Sequence, residues 1–428
     1  VPRASLHTLG CRLNQAETAI IAKTLSVRGY EIVEFGEQAD LTVINTCTVT
    51  EQADAKCRQA VRQALRLNPQ TYVAVVGCYS QIGLDAIRQI RGVDLIIGNE
   101  HKLKVADHLN GLNKQSDPVV IQSTVLPEAE FTIESTGLYS FNTRANLKIQ
   151  DGCNYTCTFC IIPAVRGRAR SRNFSDIIRE ARVLVESGHR ELVITGINLG
   201  TYKNDGKRLL QVIGELEKIN GLRRIRISSI EPTTIGAELV RYMASSQKLV
   251  PYLHLPLQSG DDCILKAMRR RHTIAAFSRF IEWANATVPD IGIGVDVMVG
   301  FPGEGEEEFL HTKQALTDLP IYYFHVFSYS DRPGTKSRLL EPKIDHRTKK
   351  ERARKLINLS ARKKRAFYEN HVGNIVEVLF EDQEEGRWTG HTGNYMKVRV
   401  ASDVILHNEI RRVRLTETEG DSLIGELL

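Results

Sequence analysis

No apolar run among the 428 residues approaches the ~20 that a membrane-spanning helix needs, and no signal-peptide pattern is present at Val1-Pro2-Arg3. The first lack argues against a helical membrane protein. The second sets the expectation of a reducing, cytoplasmic setting, in which eight cysteines bind metal rather than pair as disulfides. A strong charge of one sign is missing too. The 57 Lys and Arg against 51 Asp and Glu leave +6, modest for a nucleic-acid binder, so the distribution of charge carries more information than its sum. What is present is ordinary globular composition, 42% hydrophobic and 25% charged, in a chain long enough for two or three domains.

The densest chemistry is the loop Cys153-Asn154-Tyr155-Thr156-Cys157-Thr158-Phe159-Cys160, three thiols in eight positions. An ordinary zinc site takes four protein ligands, usually as two separated Cys pairs. A four-iron cluster held by only three Cys keeps one iron open for a small molecule. A zinc knuckle or a reduced, buried cluster of thiols is the plainer alternative, but core packing does not crowd cysteines in this way.

Residues 1 to 111 alternate short β-rich runs with helical patterns. Runs at 4 to 9, 41 to 45 and 72 to 76 are followed by turns, and helices are expected at 15 to 27 and 51 to 67. This predicts an N-terminal α/β domain with a parallel sheet and crossover helices. Each run leads into a cysteine: Cys11, Cys47 and Cys78. Ligands of open α/β sheets sit at the carboxyl ends of strands, so three cysteines delivered there by separate turns are expected to converge on a second metal cluster. Any one of them alone reads equally well as a small buried hydrophobe. Cys57 and Cys263 lack such partners and are expected to pack.

Residues 112 to 143 are polar and irregular, a linker with room for a strand or two. From 144 to 369 six strand patterns (146–150, 191–195, 224–230, 252–256, 291–299, 323–329) alternate with helical ones (175–187, 208–219, 234–245, 273–287, 305–317). Six repeats predict a partial (β/α)6 barrel, with the Cys loop after its first strand. A helix over 346 to 369 then leads into residues 370 to 428. Short runs there at 375–380, 388–391, 396–400, 410–415 and 423–427 predict a small, OB-like β-barrel.

Polar and glycine residues at the barrel strand ends are candidates for small-molecule contact: Thr195, Gly196, Asn198, Ser229, Glu231 and Gln258, with Phe159 beside the last loop cysteine. Arg166, Arg168, Arg170 and Arg172 follow the loop and are candidate contacts to phosphates or bases, against the alternative of a solvated loop. Basic residues also dominate 332 to 365, a stripe that neutralises phosphates or is simply a solvated helix face. The last segment is acidic, with Glu381, Asp382, Glu384 and Glu385 close together.

The Cys-x3-Cys-x2-Cys loop with its penultimate aromatic resembles the radical S-adenosylmethionine (SAM) enzymes. With Thr8-Leu9-Gly10-Cys11-Arg12-Leu13-Asn14-Gln15, Asn45-Thr46-Cys47, Gly77-Cys78 and Ile161-Ile162-Pro163, the whole chain resembles the methylthiotransferases of that superfamily, whose C-terminal barrel is the TRAM domain. The resemblance implies two [4Fe-4S] clusters, one on Cys153, Cys157 and Cys160 that cleaves SAM to a 5'-deoxyadenosyl radical, and an auxiliary one on Cys11, Cys47 and Cys78. The runs at 45–50, 226–231 and 394–398 resemble the branch acting on N6-threonylcarbamoyladenosine beside the tRNA anticodon. Relatives act on isopentenyladenosine in tRNA or on an aspartate of a ribosomal protein, and the acidic barrel keeps the protein substrate open. The expected partners are the anticodon arm, SAM and a flavodoxin- or ferredoxin-type electron donor, with no membrane and a monomeric enzyme. The alternative from another class is an iron-sulfur RNA-binding protein or electron carrier.

Overall fold

The computed structural model describes every residue except 110, 115, 135, 136 and 138–142. The corresponding part of the linker expected over 112 to 143 lies outside the described residues.

Strands Arg3–Thr8, Glu31–Val33, Leu41–Thr46, Tyr72–Gly77, Leu95–Ile97 and Val119–Ile121 form one sheet in the order 2-1-3-4-5-6, every pairing parallel. Strands Leu41–Thr46 and Tyr72–Gly77 are buried along their whole length, because helices cover both faces of the sheet. Helix Glu51–Leu67 starts where the Thr50 side chain accepts a hydrogen bond from the Ala53 amide. Strand order reverses beside the first strand, and the crevice at such a reversal opens at the carboxyl ends. Three of the six strands are only three residues long, too short to show a period in sequence. The last, Val119–Ile121, lies in the segment expected as linker.

The central part holds six parallel strands in two halves. Arg144–Lys148, Glu191–Thr195 and Arg224–Ile227 form one; Tyr252–Gln258, Gly292–Val299 and Tyr323–Ser328 form the other. A bridge between Ser229 and His254 joins the halves into a partial barrel. Helices Phe174–Glu186, Leu209–Glu217, Ala237–Ser245, Ile274–Thr287 and Glu306–Asp318 follow the strands as their patterns predict. Leu356 and Leu359 of the long helix His346–Glu369 pack into the same core, and its Tyr368 packs into the next one.

Strands Ile375–Glu384, Arg387–Thr392, Lys397–Ala401, Ile410–Glu419 and Ser422–Leu427 close into a five-stranded barrel. It docks on the central part through buried arginines. Arg224 donates to the carbonyls of Glu377 and His391, and Arg226 to those of Thr392 and Gly393. No helix among the described residues is long and apolar enough to cross a membrane.

Candidate active site

Cys11 precedes helix Arg12–Val27, Cys47 follows strand Leu41–Thr46 and Cys78 opens the short helix after Tyr72–Gly77. The glycines before two of them are required. Gly10 (φ 97°) and Gly77 (φ 100°) occupy the left-handed region, and a Cβ on Gly10 would stand 2.9 Å from Cys47 Sγ. That gap keeps the first and third strand ends close. Asn45 ties them further, its Nδ2 donating to the Asn14 carbonyl and the Thr18 hydroxyl, both at 3.0 Å. Burial pushes the Cys47 thiol up to about 11, so by itself it is an inert thiol; a bound metal would reverse this.

Behind these cysteines lies a buried ionic cluster. Glu17, fully buried on the first helix, pairs with Lys102 at 2.5 Å, Lys148 at 2.7 Å and Arg166 at 3.0 Å; Asp151 pairs with Lys148 at 2.7 Å and Arg166 at 3.0 Å. Burial alone would raise the Glu17 carboxyl, but Arg166, Lys102 and Lys148 hold it well below the usual carboxylate range. Cations outnumber carboxylates here, and Arg166 acts electrostatically on both Cys11 and Cys78. An excess of positive charge beside a three-thiolate site offsets the negative charge it would carry.

Cys153, Cys157 and Cys160 are half-buried and line a cavity of about 360 Å³ together with Arg168, Thr335 and Lys336. Arg270 places Nη1 3.6 Å from Cys157 Sγ, pairs with Glu231 at 2.5 Å and donates to the Pro256 carbonyl at 2.9 Å. Burial pushes the Cys160 thiol up to about 12. Phe159 sits edge-on to Phe301 at 6.4 Å. Asn198 lies against the Cys153 thiol, and Thr195 Oγ1 and Arg270 Nε are buried without a hydrogen-bond partner among the described residues, as expected of groups that receive a ligand. Just after the loop, Ile161 and Val165 pack on Cys78, and Asn99 Nδ2 donates to the Val165 carbonyl at 2.5 Å. The two cysteine sets therefore lie one packed layer apart.

A second cavity of about 760 Å³ joins all three parts of the molecule. Cys11 and Cys47 line it, as do the strand-starting residues Arg144, Tyr252 and Tyr323, the strand-end residues Gly196, Ser228 and Ser229, and Glu381, Asp382 and Tyr395 of the C-terminal barrel. One wall is a hydrogen-bonded chain. Tyr252 and Tyr323 hydroxyls are 2.5 Å apart, Tyr323 reaches His254 Nδ1 at 3.2 Å, and Asp296 lies 3.0 Å from His254 Nε2 and 3.4 Å from His325 Nδ1. Burial would raise the Asp296 carboxyl, but His254 and then His325 hold it below its ordinary range. Tyr252, Tyr323, His325, Tyr395, Arg12 and Arg144 were not foreseen as site residues. A signal existed: polar residues alternate at 252 and 254, and at 323 and 325, on otherwise apolar strands, which aims them at one face.

The other candidates divide. Gly196 and Ser229 line the large cavity, Thr195 is buried at the end of its strand, buried Asn198 and half-buried Glu231 lie near Cys153, and Gln258 sits at a bulge with φ 73°. The arginines after the loop need correction. Arg166 and Arg172 are fully buried, the latter paired with Asp176 and Glu180, and offer no surface to RNA; Arg170 is 14% exposed, 3.7 Å from Asp151, and only Arg168 is open. Their density in sequence reflects buried ion pairs. Cys57 is buried as expected, its Sγ donating to the Cys47 carbonyl, whereas Cys263, expected to pack, is exposed. On the long helix Lys350, Arg354 and Arg362 are exposed with no ion-pair partner among the described residues. The acids of the C-terminal barrel face its own bases: Glu384 pairs with Lys397 and Glu385 with Arg399, while Glu381 pairs with Arg144.

Comparison with known proteins gives two family models, one described as uncharacterized protein family UPF0004 over residues 3–98 and one as the radical SAM superfamily over 147–316. The chain is 40% identical to the threonylcarbamoyladenosine tRNA methylthiotransferase MtaB of Bacillus subtilis, covering 92% of this chain and 89% of that protein. It is 39% identical to MtaB of Aquifex aeolicus (93% and 96%) and 33% identical to a tRNA-2-methylthio-N(6)-dimethylallyladenosine synthase of Cereibacter sphaeroides (99% and 98%). Among solved structures, the radical SAM methyltransferase TsrM of Kitasatospora setae, with cobalamin and a [4Fe-4S] cluster bound, matches with a TM-score of 0.53 at 15% identity (91% and 81%). That likeness is one of fold.

Proposed function

The chain belongs to the tRNA methylthiotransferases of the radical SAM superfamily, and from that premise we propose that its substrate is N6-threonylcarbamoyladenosine at tRNA position 37, 3' of the anticodon, converted to the 2-methylthio derivative. Its cofactors are [4Fe-4S] clusters and SAM. The observation that carries the reading is the large cavity, where Cys11 and Cys47 meet the interior of the central barrel in a space of about 760 Å³, within the range of small-molecule sites.

Cys153, Cys157 and Cys160 would hold the SAM-binding cluster, and Cys11, Cys47 and Cys78 the auxiliary one. The donor sets fit: each is three free thiols, and Gly10 leaves open the space beside Cys47 that a side chain would fill. When bound, the clusters and SAM supply removal of hydrogen from adenine C2, a carbon no side-chain base deprotonates, and the methylthio group that takes its place. The protein positions and encloses. Thr195, Asn198 and Arg270 offer buried polar groups to the polar parts of SAM, with Gly196, Ser229, Glu231, Gln258 and Phe159 as further candidates. Lys350, Arg354 and Arg362 take the phosphates of the anticodon arm, and the C-terminal barrel acts as a TRAM domain beside them. The enzyme works in the cytoplasm as a monomer with a flavodoxin- or ferredoxin-type electron donor.

A dimethylallyladenosine substrate is the competing reading, supported by the 33% identical relatives. The acidic C-terminal barrel favours a basic protein substrate less than its sequence suggests, because Glu381, Glu384 and Glu385 are paired with arginine, lysine and histidine side chains and Asp382 lines the large cavity. The test is anaerobic reaction of the cluster-loaded protein with SAM, reductant and tRNA carrying either modified adenosine, followed by mass spectrometry of nucleosides. A 2-methylthio group on threonylcarbamoyladenosine is expected; one found only on dimethylallyladenosine would overturn the assignment.

A further inference from the structure

Three guanidinium groups surround one tyrosine ring in the wall of the large cavity. Arg226, Arg144 and Arg12 lie 4.8, 5.3 and 5.9 Å from the centroid of Tyr395. Only two of the three are neutralised. Arg226 pairs with buried Glu191 at 2.7 Å, and Arg144 Nη2 pairs with Glu381 at 2.8 Å. Arg12 has no carboxylate partner among the described residues; its Nη2 donates to the Tyr395 hydroxyl at 2.6 Å. Arg144 also interacts with the Tyr395 hydroxyl, and its Nη1 is buried with no carboxylate or carbonyl partner among the described residues.

We propose that Arg12 and Arg144, gathered on the ring of Tyr395, form a carboxylate-binding subsite of the large cavity, and that its ligand is the threonyl carboxylate on N6 of the substrate adenosine. The inference rests on the substrate reading above and adds the residues that select the N6 group. A guanidinium without a counter-ion, beside a second one whose buried Nη1 has no carboxylate or carbonyl partner among the described residues, suits a planar carboxylate that accepts from both. Burial would raise the Tyr395 hydroxyl, yet Arg144, Arg12 and Arg226 lower it, so the surroundings favour negative charge. An apolar dimethylallyl group at this place would leave the same N–H groups desolvated and unpaired, which disfavours it.

The backbone supports a dedicated role. Tyr395 has φ 73°, a left-handed conformation that costs a bulky residue energy and that persists only when the surroundings impose it. They do: the Tyr395 amide donates to the Thr392 carbonyl at 3.1 Å, and the Met396 amide donates to the Thr392 hydroxyl at 2.9 Å. The turn between two strands of the C-terminal barrel thus holds an aromatic platform against arginines from the first helix and the central barrel. All three parts of the chain must be assembled for the subsite to exist.

The experiment uses the full-length, cluster-loaded protein and two anticodon stem-loop RNAs. One carries threonylcarbamoyladenosine; the other carries its uncharged threoninamide analogue, equal in shape. Binding and methylthiolation of both are measured for the wild type, Arg12→Gln and Arg12→Lys, with iron content checked for each. The wild type is expected to bind the acid at least tenfold more tightly than the amide, Arg12→Gln to lose most of that preference, and Arg12→Lys to keep part of it. Equal affinity of the wild type for acid and amide overturns the subsite, as does an undiminished preference in Arg12→Gln. If the wild type methylthiolates both RNAs equally, the function stands and the subsite falls. Methylthiolation of neither sinks the function itself.

Discussion

The cysteines at 153, 157 and 160 share one loop, whereas Cys11, Cys47 and Cys78 come from three separate turns at the ends of a parallel sheet. The loop cysteines have one buried ion pair beside them, that of Arg270, which touches Cys157 and is neutralised by Glu231. Around the sheet-end cysteines stands a buried cluster of charges with cations in excess, joining the first helix to the central barrel. A local loop can present three thiols wherever it is attached. Three thiols on separate turns depend on sheet topology, on glycines that let strand ends approach, and on contacts between domains, so their geometry is a property of the assembled molecule.

Single cysteine replacements break the comparison most sharply. Cys157→Ala should abolish both SAM cleavage and methylthiolation, each by more than about 100-fold. Cys47→Ala should abolish methylthiolation by a similar factor and leave 5'-deoxyadenosine formation in place. Product analysis by mass spectrometry reads both, and loss of SAM cleavage in Cys47→Ala would show that the two sites are not separable.

Next in size is the buried charge cluster. Glu17→Ala leaves Lys102, Lys148 and Arg166 short of a counter-charge and should cost about 3–5 kcal/mol of stability, read as a lower midpoint in urea. If the first region depends on domain contacts as argued, the same variant should also bind less iron in its auxiliary site. A smaller effect is expected at the loop. Glu231→Gln keeps a hydrogen-bonding group beside Arg270 but removes its counter-charge, and should weaken SAM cleavage about tenfold with a smaller fall in the unfolding midpoint than Glu17→Ala. Smallest is a change in RNA affinity away from both cysteine sets. Arg354→Gln should lower the slope of log affinity against log salt by about 0.7–0.9. An unchanged slope would remove that helix from the RNA interface.

Much of the architecture was legible because it is periodic. The six strands and five helices of the central barrel, the long helix at His346–Glu369 and the five strands of the C-terminal barrel all carry alternation or a 3.6-residue pattern that local chemistry reveals. The three-residue strands at Glu31–Val33, Leu95–Ile97 and Val119–Ile121 carry none, since their assignment comes from neighbours that complete the ladder. The arginines following the Cys loop show the opposite failure. Local charge density suggested a surface for RNA, but Glu17 and Asp151 lie far from Arg166 in sequence or on another element, and only folding brings them together.

Spacing along the chain dictates the composition of the loop site, since three cysteines within eight residues cannot be far apart in any fold. It also dictates that three other cysteines follow β-rich runs, hence that they share an end of a sheet. Folding alone brings Cys11 and Cys47 to a cavity shared with the central and C-terminal barrels, and makes Arg12, Arg144 and Tyr395 meet there. The reason is physical: local spacing constrains neighbours along a chain, whereas a cavity between domains is set by packing and charge pairing among residues hundreds of positions apart.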